Sequence, residues 1–276
     1  MKRFILLVSI LFVSITLVSC NKKDNSNVIK VGYASAFSEP VLEILEAIKD
    51  DVKKDGYELE IIKINGYTPL NSALFEKSLD ANFFQHQYFM EQFNIAHKAN
   101  LVVAQRIYYP LFGLYANTDV YKNIEDVKEK VNSGEIVKIG VPNDFANLSR
   151  TYYLLKLAGL ISIKDDKNTH ITSNDVIKQS NLIFEEVQQD MLPQKFVDTN
   201  LAVMYPKDTK SNVINKDSLL EIFTEELDDV QKTYSINLAA RNDNIDSDKI
   251  KVLIKHITSE KVRQIVNNYE GGIPAF

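Results

Sequence analysis

The 276-residue chain predicts an α/β fold built from alternating strands and helices. Apolar residues switch repeatedly between a two-residue period and a helical period, and the segments between them are short. The chain is 45% hydrophobic and 25% charged, ordinary material for one large domain or two lobes. Strands that alternate with helices in this way argue for a mostly parallel sheet whose faces are covered by helices.

Taken in order, "VIKVGY" from Val28 reads as a strand. "EPVLEILEAIKDDVKKDG" follows as a helix, with Val41, Ile44, Leu45 and Ile48 on one face and Gly56 as its stop. "ELEIIKI" alternates as a second strand, "NSALFEKSL" fits a short helix, and "ANFFQ" is a third strand leading into the helical "HQYFMEQFNIAHKAN". "LVVAQRI" is strand-like again. A second series follows "YYPLFGLY": helix "NIEDVKEKVNSG", strand "IVKIGVP", helix "LSRTYYLLKLAGL", and strands "NLIFEEVQ", "LAVMY" and "YSINLAAR". The last segment, "DKIKVLIKHITSEKVRQIVNNY", predicts one long amphipathic helix with Ile250, Leu253, Ile254, Ile257, Val262 and Ile265 on a broad face.

The N-terminus carries an address. Lys2 and Arg3 precede an uncharged run from Phe4 to Val18, too short for the ~20 residues of a membrane span, which marks a secretory signal peptide. It closes on "LVSC", which resembles a bacterial lipobox, and Cys20 is the sole cysteine. Residues 1–19 are expected to be removed and Cys20 acylated. Residues 20–27 would then tether a body to the membrane without spanning it.

Several function classes are disfavoured. The formal charge of −5 lacks the basic footprint that nucleic acid requires. There is no glycine-rich phosphate loop and no GxSxG elbow, and carboxylates at exposed helical spacing read as solvated faces, so no enzyme and no cofactor is expected. His86 and His97 stand roughly 16 Å apart along a helix, too far to share a metal. No metal site is expected.

Three segments carry a resemblance. "GYTPLNSALFEKSLDANFFQH", "IGVPNDFANLSRTYYLLKLAGLI" and the terminal "GGIPAF" resemble stretches of the methionine-binding lipoproteins of the NlpA type, substrate-binding components of ABC importers, and the likeness runs along nearly all of residues 20–276. The resemblance implies a two-lobed fold like that of type 2 periplasmic binding proteins, with the ligand in a cleft between the lobes. It places lobe 1 at residues 28–111 and 236–276, and lobe 2 at 112–235. It also implies L-methionine or a related apolar amino acid as ligand, an ABC permease and ATPase as partners, and a lipid-anchored body facing the periplasm or the outer surface.

Site residues follow from both lines. His86, where the third strand meets a helix, would project into the cleft beside Phe84 as an apolar wall; a histidine there also serves simply as a cap. In "VPNDFANLSR" a strand-to-helix junction offers free backbone N–H groups to an anion, and Arg150, read as lying in the first turn, suits capture of a carboxylate. Asp144 fits a helix cap. By resemblance Tyr67, Asn71, Phe89, Asn147 and Tyr205 join the set, although Tyr67 and Asn71 are also ordinary turn residues. Tyr205 and Pro206 stand where the family has Asn and Gly, and Phe89 replaces a tyrosine. These departures leave open a methionine-containing dipeptide or another small ligand, an importer of metal or inorganic anions, and a surface lipoprotein with an adhesin or host-contact role.

Overall fold

The computed structural model describes residues 27–34, 39–165, 170–227 and 231–276. Its first half builds one sheet. Strand β1 (Val28–Ala34) leads to α1 (Val41–Lys54), which buries Val41, Ile44, Leu45, Ile48 and Val52 on one stripe. Glu43 at its start and Lys53 and Lys54 at its end complement the helix dipole. Then come β2 (Glu58–Ile64), α2 (Tyr67–Phe75), the fully buried β3 (Ala81–Gln85), α3 (Gln87–His97) and β4 (Leu101–Pro110).

The chain then crosses to a second sheet. This part of the chain runs through β5 (Gly113–Asn117), α4 (Ile124–Ser133), β6 (Val137–Pro142), α5 (Phe145–Leu157), a separate antiparallel pair β7 (Ser162–Ile163) and β8 (Val176–Ile177), β9 (Leu182–Val187), α6 (Leu192–Thr199), β10 (Leu201–Met204) and β11 (Leu219–Thr224). It returns through β12 (Ile236–Arg241), α7 (Asp248–Ile257), α8 (Glu260–Asn268) and β13 (Gly272–Pro274). The strand orders are β13-β4-β12-β3-β1-β2 and β11-β5-β10-β6-β9.

Each sheet is parallel only at its heart. β2, β1 and β3 run parallel, as do β9, β6 and β10, because each of these joins to the next through a helix. β12 runs antiparallel to both β3 and β4, β13 antiparallel to β4, and β5 antiparallel to β10 and β11. The expectation of mostly parallel sheets is corrected here: β5 and β12 arrive from the other sheet without a crossover helix among the described residues, so they can insert in the opposite direction.

Other boundaries move for local reasons. α2 starts at Tyr67, not Asn71, because Gly66 at φ 87° turns the chain into it. The expected single C-terminal helix is two: the Thr258 hydroxyl donates to the Ile254 carbonyl at 2.7 Å, and Ser259 takes an extended backbone that opens α8. Each half still buries its stripe, Ile250, Leu253 and Ile257 in α7, then Val262 and Val266 in α8. β5, α6, β11 and β13 were not anticipated.

The two crossings between sheets are tied together. Phe112 N donates to Glu225 Oε2 at 2.8 Å, and Glu225 N donates to the Phe112 carbonyl at 3.1 Å. Gly271 lies against the Pro206 ring at φ 73°, where any side chain would collide with that ring. Leu111 N donates to the Gly271 carbonyl at 3.0 Å, so the tail is fastened to the same crossing.

Candidate functional site

The carboxyl ends of β3, β6 and β10 bring polar side chains from the two sheets to one place. β3 ends at Gln85, and His86 caps α3, its Nδ1 accepting from Phe89 N at 3.2 Å. Across the cleft Asp144 caps α5: Oδ1 accepts from Asn147 N and Oδ2 from Asn147 Nδ2, each at 3.0 Å. Tyr205 follows β10. Tyr67, Phe84, Gln85, His86, Phe89 and Ile236 from one lobe, and Asn147 and Tyr205 from the other, line a pocket of about 270 Å³, counting the space that opens to solvent. The room it leaves for a water-sized molecule is only about 20 Å³, so its walls stand close together in this structure.

One wall is aromatic. Tyr67 stacks on Phe84 at 5.6 Å, and Phe89 meets Tyr67 and Phe84 edge-on at 5.7 and 6.1 Å. The other wall is polar but carries no net charge. Burial pushes His86 down to about 3, the Arg150 charge adds to that, and a side-chain hydrogen bond with Asn147 opposes it. The ring is therefore neutral, and because Nδ1 accepts, its proton is on Nε2. The Tyr205 hydroxyl donates to Asn147 Oδ1 at 3.2 Å.

Two expected residues stand behind this wall. Asn71 is fully buried and exchanges hydrogen bonds with Gln85, Nδ2 to Oε1 at 2.7 Å and Gln85 Nε2 back to Oδ1 at 2.6 Å, so it braces a lining residue. Arg150 is the sixth residue of α5, in the second turn and not the first, which carries it away from the helix N-terminus. It is 1% exposed and engaged by the chain itself: Nε and Nη2 donate to Glu225 Oε1 and Oε2 at 2.9 and 2.5 Å, and Nη2 also donates to the Pro110 carbonyl at 2.6 Å. Only Nη1 points toward the pocket side, 3.4 Å from the Tyr205 hydroxyl. The fork that would clasp a ligand carboxylate holds an internal one.

Gln85, Ile236, Glu225 and Tyr234 were missed. Gln85 and Ile236 read as strand residues. Tyr234, 5.1 Å from His86 and 4.9 Å from the Arg150 guanidinium, read as the start of a strand. Glu225 in "TEEL" read as a solvated carboxylate. Beside the pocket, and sharing Tyr67 with it, lies a wider chamber of about 790 Å³ on the same measure, lined by Gly66, Asn143, Asp144, Gln188, Gln189 and Asp190. Among the described residues no group of three His, Cys, Asp or Glu side chains is placed to hold a metal ion.

Residues 29–276 match the family model described as NlpA lipoprotein. The chain belongs to the NlpA lipoprotein family. It is 30% identical over 264 residues to the D-methionine-binding lipoprotein MetQ of Escherichia coli K12, covering 94% of this chain and 92% of that one. It is 32% identical over 192 residues to the membrane lipoprotein TpN32 of Treponema pallidum, covering 69% and 67%. Among solved structures, a YaeC-family lipoprotein from Enterococcus faecalis V583 superposes with a TM-score of 0.77 at 30% identity, covering 91% of this chain and all of that one. A putative methionine-binding lipoprotein from Bacillus subtilis gives 0.77 at 26% identity, covering 91% and 98%. As an NlpA lipoprotein the chain has the two-lobed α/β fold and is membrane-anchored; no helix among the described residues is long and apolar enough to cross a membrane. The leader and Cys20 lie outside the described residues.

Proposed function

We propose that this lipoprotein is the substrate-binding component of an ABC importer that captures an apolar amino acid, L-methionine foremost, and delivers it to a permease and its ATPase without chemistry of its own. The observation that carries this reading is the pocket whose walls come from both lobes. Tyr67, Phe84 and Phe89 offer a surface for a thioether or alkyl side chain. The His86 Nε2–H and the first amides of α5 offer neutral donors to a carboxylate. With Arg150 neutralised by Glu225, the surroundings favour a zwitterion over a net anion. A ligand touching both walls stabilises the closed arrangement over an open one, with lobe 1 (28–111 and 236–276) and lobe 2 (112–235) turning about the paired crossings. The anchor is the acylated Cys20, and the body faces the periplasm or the outer surface.

A methionine-containing dipeptide is the second reading, favoured by the chamber that adjoins the pocket. An adhesin or host-contact role would leave the pocket without a function. Thermal-shift screening of ligand-stripped protein against amino acids, methionine dipeptides, sugars and inorganic ions separates these. Methionine at 100 times its Kd should contribute about 2.7 kcal/mol of stability. A shift with sugars or inorganic ions alone overturns the assignment.

A further inference from the structure

We infer that Tyr88, Phe145 and His170 form an aromatic clasp between the two lobes that holds the closed arrangement and slows release of the ligand; this rests on the proposed closure of the lobes and adds what governs how long they stay closed. Tyr88 is the second residue of α3, which joins β3 to β4 in the first sheet, and Phe145 is the first residue of α5, which follows β6 in the second. His170 stands between β7 and β8. The chain beside it is fastened to α5, Ile171 N donating to Ser149 Oγ at 2.7 Å.

The rings meet across the two sheets' helices. Tyr88 stacks on His170 with centroids 3.9 Å apart and planes 24° apart, and its ring lies 5.8 Å from that of Phe145. Tyr88 also packs with Ala146 and Tyr234 in a small buried cluster separate from the larger apolar cores. The tyrosine is 4% exposed, whereas Phe145 is 47% exposed and His170 is exposed, so rings at the surface of the second lobe help to shut it from water. Any opening that parts α3 from α5 breaks the stack and returns the Tyr88 ring to water, which costs free energy. The clasp borders the pocket from both sides: Phe89, which follows Tyr88, and Asn147, which follows Ala146, are lining residues. Clasp and pocket walls therefore come together in one movement. A stack made on closing acts after the ligand has entered, so its weight falls on dissociation and not on association.

Release of tritiated L-methionine or glycyl-L-methionine, chased with excess unlabelled probe, tests this together with the equilibrium affinity on the wild type, Tyr88→Ala, His170→Ala and the double variant. Tyr88→Ala should release the probe at least about 5-fold faster, the range of two aromatic pairs, and His170→Ala at least about 2-fold faster. The association rate, taken from the release rate and the affinity, should stay within about 2-fold in each. The double variant should match Tyr88→Ala, because both changes remove the same stack. His170 is exposed, so its substitution keeps the fold and carries the test if Tyr88→Ala does not fold. Release by either single variant as slow as wild type, affinity lost through slower association, or effects that multiply in the double variant overturns the clasp and leaves the amino-acid function standing. Failure of the wild type to bind either probe overturns that function and the clasp with it.

Discussion

Glu225 is the residue on which the electrostatics of the site turn. Both of its carboxylate oxygens are bonded to Arg150, Oε2 also accepts from Phe112 N, and neither side chain of the pair is more than 1% exposed. Removing one partner leaves a buried charge uncompensated. Glu225→Ala and Arg150→Ala are therefore expected to lose about 3–5 kcal/mol in urea unfolding, and a loss below about 1 kcal/mol would show that the pair is dispensable. This differs from what the sequence suggested for Arg150, a first-turn arginine suited to capture of a ligand carboxylate. "TEEL" has no period or motif that separates a carboxylate destined for burial from one left in water; only the return of the chain beside Pro110 and Phe112 decides it. His86 was more legible, since a polar residue that ends an apolar strand has few places to go. Its ordinary value near 6.5 is pushed down to about 3 by burial, so below pH 6.5 the unfolded chain binds a proton that the folded one refuses. Its contribution is complete above pH 6.5 and is lost as pH falls toward 3, at up to about 1.4 kcal/mol per pH unit. Unfolding midpoints followed from pH 7.5 to 5 should fall more steeply for wild type than for His86→Gln; parallel slopes would place the ring in water.

At the scale of elements, the site is made by helix starts. α3 opens with His86 and α5 with Asp144, and each cap also faces or borders the pocket, so in the proposed function the side chains that set local folding would set ligand geometry as well. Away from the pocket a cap does one job. At α4 Asn123 Oδ1 accepts from Asp126 N at 3.0 Å, and Asn123→Ala should cost about 1 kcal/mol in urea unfolding while leaving ligand affinity unchanged. A change in affinity would link α4 to the cleft by a route its position does not suggest. α1 was legible because its apolar stripe is long, five buried residues over 14. β11 was not, because it is a partly exposed edge strand whose pairing with β5 shifts register between Glu221 and Phe223. β13 was hidden by its glycine and proline, and it pairs only with β4.

For the whole molecule, the proposed function depends on two sheets meeting over one small space while the body stays at a membrane. The proposed anchor is Cys20: Cys20→Ser should move the protein out of the detergent phase in partitioning, and a variant held like wild type would contradict lipidation there. The lobes were legible through resemblance, whereas the pairing of the two crossings through Phe112 and Glu225 emerges only when both sheets are in place. The claim at the centre is that a single apolar amino acid closes these lobes on one another. Calorimetric titration of ligand-stripped protein with L-methionine at several temperatures measures this most directly. The account predicts one molecule bound per chain with a negative heat-capacity change, the mark of apolar surface leaving water between Tyr67, Phe84 and Phe89. No binding of methionine or any other apolar amino acid, as a free residue or within a dipeptide, would contradict it.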